Sequence, residues 1–119
     1  MNRKYFIYLL IFYIILILIG STLPGNLFPS GKIFDFDKII HIMEYIILAF
    51  LFLNAIKSPN ISNVLLIIVI GTAYGVFNEF WQLFVSDRYA SFWDGLANTV
   101  GMIIGSVITY KYLIISNDK

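Results

Sequence analysis

Residues 63–85 read NVLLIIVIGTAYGVFNEFWQLFV, and this stretch decides the fold class of the chain. Glu79 is its only charged residue, and large apolar side chains dominate the rest. A helix needs roughly 20 residues to cross a hydrocarbon core about 30 Å thick, because each residue advances it by about 1.5 Å. The stretch therefore predicts a membrane-spanning helix that contains one carboxylic acid. Ser62, directly before it, is expected to be its N-cap.

Three further segments have the same length and character: residues 5–23, 38–56 and 92–115. The whole chain is 60% hydrophobic and 13% charged, with a mean hydropathy of +0.86. Soluble domains carry about 25% charged residues, so this chain lacks the polar surface of a water-soluble protein. Its 119 residues are expected to form a single domain, residues 1–119. We predict an all-α membrane protein, an antiparallel bundle of four transmembrane helices.

The charged residues that flank the four segments indicate an orientation. The first apolar run is longer than the about 7–15 residues of a signal-peptide core, which favours a retained helix. Lysine and arginine collect in cytoplasmic loops, and four crossings put five of them on the side of the termini and three on the other. The five are Arg3, Lys4, Lys57, Lys111 and Lys119, and the three are Lys32, Lys38 and Arg88. We therefore expect a multi-pass protein of the cell membrane with both termini in the cytoplasm.

The composition also excludes several classes of function. A net charge of +1 provides no basic surface for a phosphate backbone, so nucleic acid is not an expected partner. The absence of cysteine excludes disulfides, thiol nucleophiles and thiolate metal sites. The spacing shows no recognised metal motif, and we expect no metal and no cofactor. The lipid bilayer is the expected surrounding, and a homo-oligomer stays open.

Six polar side chains lie three or four residues apart inside the predicted helices. They are Asp37 and His41, Glu79 and Gln82, and Asp94 and Asn98. An ionisable group at a helix centre costs about 2.5–3.5 kcal/mol on insertion scales, which makes separate positions facing lipid unfavourable. Counting about 1.5 Å per residue inward puts the three pairs at similar shallow depths on one side of the membrane. We therefore predict one polar pocket, shared by three helices and facing outward.

Neighbouring residues extend this predicted pocket. The members of each pair share a helix face, and Tyr45 continues the face of His41 one turn deeper. Lys38, Arg88 and Ser91 are expected near the mouth. Small residues that let helices approach closely in lipid form stripes on the third and fourth helices, namely Gly71, Gly75, Gly101 and Gly105. The first helix carries no comparable group in its second half and is expected to act as scaffold.

The residue types in the pocket permit acid–base catalysis. His41 would act as general base, oriented by Asp37 or Glu79. Asn98 or Gln82 would then donate a hydrogen bond to a developing oxyanion. Whether the chain is an enzyme stays open, because the same groups would also bind a polar ligand.

Two variants of the catalytic interpretation use other groups. Ser91 would be a nucleophile if the loop brings it to His41. A metal variant would use His41, Glu79 and Asp94 as a set of one histidine and two carboxylates. These last three are the candidate catalytic residues. The candidate binding residues are Asp37, Lys38, Tyr45, Gln82, Arg88, Ser91 and Asn98.

Three strings that contain these residues resemble the signature of the VanZ-like family. They are DKIIHIMEY at residues 37–45, YGVFNEFWQ at residues 74–82 and RYASFWDGLANTVGMIIG at residues 88–105. Ser21 and Pro24 match the serine and proline that follow the first helix in that family. The resemblance covers nearly the whole chain, and the combination of motifs is specific although each one alone is weak.

The resemblance implies the fold, the membrane location and the residues that matter, but no settled reaction. The family is named for a protein associated with low-level teicoplanin resistance. For this chain the resemblance implies a bacterial cell-envelope protein that contributes to glycopeptide resistance by binding or modifying a lipid-linked or cell-wall component. The expected ligand is a lipid-linked cell-wall intermediate or a phospholipid headgroup.

Two other functions stay open beside this one. An intramembrane enzyme would use the histidine, glutamate and aspartate for acid–base hydrolysis or group transfer. An architectural or ion-conducting protein would use the same polar cluster to lock the bundle or to move protons. Substitutions that remove activity without lowering stability would support the enzyme, and substitutions that lower both would support the architectural protein.

Overall fold

The computed structural model of the chain describes residues 2–24, 34–86 and 88–117, with the backbone alone described for residues 34–37. Four helices account for most of this part: α1 (Arg3–Thr22), α2 (Phe34–Ala55), α3 (Ile61–Gln82) and α4 (Phe92–Asn117). The described ranges contain no strand. Each helix contains a stretch that is long and apolar enough to cross a membrane. The predicted all-α fold with four transmembrane helices is therefore confirmed.

Helices α2 and α4 lie side by side and run in the same direction. Lys38 of α2 contacts Asp94 of α4. Ile42, one turn further along α2, faces Gly101, two turns further along α4. Residue numbers thus rise together along the two helices. This parallel arrangement is expected when consecutive helices alternate in direction, because α3 is the one helix between α2 and α4 in the chain.

The contacts of α3 confirm this alternation. A methyl group at Gly71 would touch Met102 of α4, and one at Gly75 would touch Asn98. Residue numbers rise along α3 as they fall along α4, so these two helices are antiparallel. The end of α3 and the start of α4 therefore meet at the same end of the bundle.

Helix α1 packs beside α3 and runs parallel to it. The hydroxyl of Tyr74 donates to the carbonyl of Ile14 at 2.5 Å, and the indole nitrogen of Trp81 donates to the hydroxyl of Thr22 at 3.1 Å. The bundle is therefore antiparallel from helix to helix, as predicted. Which membrane face each end meets stays a prediction.

The start of α3 differs from the sequence-based expectation. The side chain of Asn60 accepts a hydrogen bond from the backbone N–H of Asn63, and the side chain of Asn63 accepts one from the N–H of Asn60. This reciprocal capping box makes Asn60 the N-cap. The prediction of Ser62 is wrong because the helix begins earlier, at Ile61. Similarly, α2 begins at Phe34 rather than at Lys38.

Glycine lets α2 and α4 approach closely. A Cβ atom at Gly101 would collide with the carbonyl oxygen of Ile42 and lie 2.9 Å from the Cβ of Tyr45. A Cβ at Gly105 would lie 2.7 Å from the carbonyl oxygen of Ile46. In lipid, where apolar burial does not drive helices together, such backbone contact is a main source of packing energy.

Replacing Gly101 with alanine should therefore lower the free energy of unfolding by about 1–3 kcal/mol, the usual cost of overpacking. The matched control is Gly20→Ala in α1, where an added Cβ would have no atom within 4 Å. That change should leave the melting temperature unchanged or slightly higher, because alanine favours helix over glycine. Thermal unfolding of both variants in detergent is the measurement. Equal melting temperatures would contradict the close contact.

Candidate functional site

Three titratable side chains from three helices meet at one end of the bundle. They are His41 of α2, Glu79 of α3 and Asp94 of α4, and one ligand-type atom of each lies within 4.8 Å of those of the other two. Glu79 and Asp94 are buried, with 8% and 7% of their surface exposed. His41 is half-buried. These three residues are called the triad below, and their chemical roles stay predictions.

Asp94 lies between two basic side chains of α2. Its Oδ1 accepts a hydrogen bond from Lys38 Nζ at 2.5 Å, and its Oδ2 lies 3.8 Å from His41 Nε2. Asp94 also lies in the first turn of α4, where the unpaired N–H groups of a helix favour negative charge. The position of this carboxylate is thus fixed by a cation on one side and a helix N-terminus beneath it.

Asn98 sets the orientation of the imidazole ring. Its Oδ1 lies 2.8 Å from His41 Nδ1. An amide oxygen only accepts, so the proton of this hydrogen bond belongs to Nδ1. In the neutral ring the lone pair is then on Nε2, the nitrogen on the side of Asp94. Asn98 is itself buried, one turn after Asp94 on the same face of α4.

Glu79 has one satisfied oxygen and one unsatisfied oxygen. The backbone N–H of Ser91 donates to Oε2 at 2.8 Å. Oε1 is fully buried and has no hydrogen-bond partner among the described residues. Buried polar atoms without a partner are rare and costly. Ser91 acts here through its backbone and not through its hydroxyl.

A polar cavity of about 250 Å³ lies on the His41 side of the triad. Gln82 and Arg88 contribute to its wall together with Glu44. Helix α1 contributes the rest of its polar edge with Tyr13 and Ser21. The first helix is therefore part of the cavity, which corrects the expectation that it is scaffold alone.

Arg88 ties the loop after α3 to the end of α1. Its Nη1 donates to the carbonyl oxygens of Gly20 at 3.3 Å and Leu23 at 3.1 Å. These carbonyls belong to the last turn of α1 and the residue that follows it, where carbonyl groups lack helical partners. Sequence patterns could not reveal this contact, because its acceptors are backbone atoms.

A second concavity lies between α3 and α4 and is almost entirely apolar. Its volume is about 400 Å³. The lining residues are Thr72, Val76, Glu79, Phe80, Ala90, Ser91, Phe92, Gly95, Leu96 and Thr99. Among the described residues that line it, Glu79 is the only one with a charged side chain. We call this concavity the α3–α4 groove.

Tyr45, a predicted site residue, lies apart from the triad. Tyr45 is buried one turn deeper, between Gly75 and Gly101, and lines neither concavity. Its hydroxyl accepts a long hydrogen bond from Asn78, at 3.5 Å. The side chain of Asp37 lies outside the described part of the chain.

The comparisons with known proteins agree with the resemblance of the sequence motifs. A family model described as VanZ/LLP1 matches residues 3–115, nearly the whole chain. No curated protein and no solved structure matches. The matched range includes every residue of the triad and all four helices up to the last turn of α4.

Proposed function

Because the chain belongs to the VanZ/LLP1 family of membrane proteins, we propose that it is a bacterial cell-envelope protein that binds the headgroup end of a membrane lipid. The observation that carries this proposal is the position of Glu79. This buried carboxylate lies at the inner wall of an apolar groove and has one oxygen without a partner among the described residues. A groove with such chemistry suits an amphipathic ligand.

The groove suits the hydrocarbon part of the ligand. Val76, Phe80, Phe92 and Leu96 line it with apolar surface, and all four are substantially exposed on the outside of the bundle. In a membrane that surface is in contact with lipid chains. A chain from the bilayer would therefore enter from the side without crossing water.

The unsatisfied oxygen indicates what the headgroup must supply. The oxygen Oε1 of an ionised Glu79 accepts hydrogen bonds, so a headgroup that bonds to it has to donate, from a group such as a hydroxyl or an amine. A phosphate group alone would not satisfy it. Sugars of lipid-linked cell-wall intermediates and the hydroxyl or amino headgroups of phospholipids both carry such donors.

A phosphate in the same ligand would meet the cations at this end of the bundle. Lys38 lies beside Asp94, and Arg88 lies in the wall of the polar cavity. The guanidinium group favours bidentate contact with phosphate oxygens. Gln82, buried in the same wall, would add a neutral hydrogen bond.

The effect that we propose on antibiotic susceptibility rests on membership of the family. Binding of a lipid-linked cell-wall component would shield it from a glycopeptide, so we propose that the chain lowers susceptibility to teicoplanin. The cell membrane is the location that this role requires, with the polar end of the bundle outward. Family membership and the excess of lysine and arginine on the side of the termini support this placement.

Filling the groove tests lipid binding directly. Gly95 lines the groove, and a Cβ added there would have no atom within 4 Å. Gly95→Leu should therefore fold normally and place three further carbons where the ligand lies. We expect at least a tenfold loss of lipid that co-purifies with the chain, measured by mass spectrometry and normalised to protein.

The matched control is Ala73→Leu, which adds similar bulk at an exposed position of α3 outside the groove. It should retain wild-type lipid. Equal lipid in Gly95→Leu and in the wild type would contradict binding in the groove. The identity of the retained lipid would distinguish a cell-wall intermediate from a phospholipid.

An enzyme is the second candidate, and the contact of Asn98 with His41 favours it. A histidine held by its Nδ1 with Nε2 towards a carboxylate has the geometry of a general base. Turnover of an added lipid intermediate that disappears in His41→Ala would support catalysis. Binding of the intermediate without any turnover would leave binding alone as the function.

A further inference from the structure

We infer that His41, Glu79 and Asp94 form a binding site for a divalent transition-metal ion, with one imidazole and two carboxylate donors. Three different helices supply the three side chains, and their ligand atoms all lie within 4.8 Å of one another. The ion would be a second ligand at this end of the bundle, beside the proposed lipid. It uses neither the groove nor a headgroup, but it shares Glu79 Oε1 with the lipid proposal, because an ion and a headgroup donor would compete for this oxygen.

The separations of the donors are close to those of a metal site. Zinc binds imidazole nitrogen at about 2.0–2.1 Å and carboxylate oxygen at about 2.0–2.2 Å, so donors around a tetrahedral ion lie about 3.4 Å apart. His41 Nε2 and Asp94 Oδ2 lie 3.8 Å apart without any adjustment. The widest separation in the triad, at most 4.8 Å, would close by rotation of side chains.

The imidazole is held as in known metal sites. A metal-binding histidine almost always uses its other ring nitrogen to donate to a fixed oxygen, which sets the ring orientation and makes the ligating nitrogen more basic. Here Nδ1 donates to Asn98 Oδ1 at 2.8 Å. The neutral His41 ring therefore presents the lone pair of Nε2 on the side of the triad.

Glu79 supplies a second, independent observation. The residue is buried, with 8% of its surface exposed, and its Oε1 is a buried atom that lacks a hydrogen-bond partner among the described residues. The other oxygen is fixed by the N–H of Ser91. A bound cation would satisfy Oε1 and leave the hydrogen bond to Oε2 in place.

Asp94 is oriented in the same way. Lys38 holds Oδ1, while Oδ2 is the oxygen nearer His41. A metal-binding carboxylate commonly has its second oxygen bonded to an outer group, and that bond fixes the ligand. Together with Lys38, a dication would more than offset the two negative charges of the triad, which would be costly together in a buried position.

The donor set indicates the class of ion. Imidazole with carboxylate suits zinc and similar transition metals, whereas magnesium and calcium prefer sites made of oxygen alone. Three protein ligands would leave one coordination position for water or a polar ligand. The polar cavity beside His41, about 250 Å³ in volume, has space for such a ligand.

The test uses the full-length chain, purified in detergent, stripped of metal and dialysed against Zn²⁺ alone. We expect one zinc ion per chain by elemental analysis and a melting temperature that rises with zinc concentration, because only the folded chain holds the site. Mg²⁺ at the same concentration should not raise it. Less than 0.1 zinc per chain, or equal effects of Zn²⁺ and Mg²⁺, would overturn the inference.

Variants locate the ion. His41→Ala and Glu79→Gln should each weaken zinc binding at least a hundredfold, more than the about 10–100-fold effect of losing an outer partner. The control is Glu44→Gln, which removes a carboxylate from the cavity wall but not from the triad. Equal zinc affinity in His41→Ala and Glu44→Gln would overturn the assignment. Failure of the lipid proposal would instead appear as unchanged lipid in Gly95→Leu.

Discussion

Replacing Glu79 with glutamine should reduce the lipid recovered with the chain about ten- to a hundredfold. The proposed ligand donates to the carboxylate oxygen Oε1, which has no partner among the described residues. Hydrogen bonds to a charged group contribute about 1.5–3 kcal/mol, and each 1.4 kcal/mol is about tenfold in affinity. Glutamine keeps the size of the side chain but loses that charge. Quantitative mass spectrometry of lipid per chain is the measurement.

The same variant separates a binding site from an architectural cluster. Glu79→Gln removes an unsatisfied buried carboxylate, so the melting temperature should not fall even as lipid is lost. The control is Ser106→Ala, which deletes another buried, unpartnered polar atom of the described chain but lies three turns deeper in α4 than Asp94. It should keep wild-type lipid. Joint loss of stability and lipid in Glu79→Gln would show that the cluster serves to lock the bundle.

The ion pair between Lys38 of α2 and Asp94 of α4 is expected to stabilise the bundle. Lys38→Met should lower the free energy of unfolding by about 1.5–3 kcal/mol, the contribution of a hydrogen bond to a charged partner. Methionine keeps most of the length of the side chain but leaves Asp94, 7% exposed, without the ammonium group. Unfolding of purified protein by a denaturing detergent is the measurement.

A double substitution tests whether the two residues interact directly. Lys38→Met combined with Asp94→Asn should be more stable than Lys38→Met alone, because the neutral amide needs no cation. Lys111→Met, at an exposed position near the other end of α4, is the matched control and should change stability little. Additive losses in the double variant would contradict a direct interaction between the two residues.

The sequence predicts the fold and the members of the triad for one physical reason. Acidic and imidazole groups are too costly to face lipid, so their positions on the helices indicate which faces meet. His41, Glu79 and Asp94 each lie within two or three turns of a helix end at the same side of the bundle. From helix length and alternating direction alone, these three residues are expected at similar depths on the same side of the bundle.

Backbone groups limit what the sequence could predict. The carbonyls of Gly20 and Leu23 hold Arg88, and the N–H of Ser91 holds Glu79, but every residue has such groups and no residue type marks these ones. This is why the contribution of α1 to the cavity was not expected. Tyr13 and Ser21, which line the cavity, are the polar residues of α1 that offered a signal in the sequence.

Rotamers and packing limit the prediction in a second way. Tyr45 shares a helix face with His41, which favoured a place for it in the pocket. Instead, its ring packs against Gly75 and its Cβ against Gly101, between the helices. Spacing along one helix gives the direction of a side chain, while the neighbouring helices decide how deeply it is buried.

The imidazole of His41 lies within reach of the carboxyl groups of Glu79 and Asp94. His41 is the only histidine of the chain, so ¹⁵N nuclear magnetic resonance of histidine-labelled protein gives one pair of ring signals. We predict a protonated Nδ1 and an Nε2 signal that shifts in both Glu79→Gln and Asp94→Asn but not in Ala73→Leu. Ring signals that are identical in the wild type and in both triad variants would contradict the account.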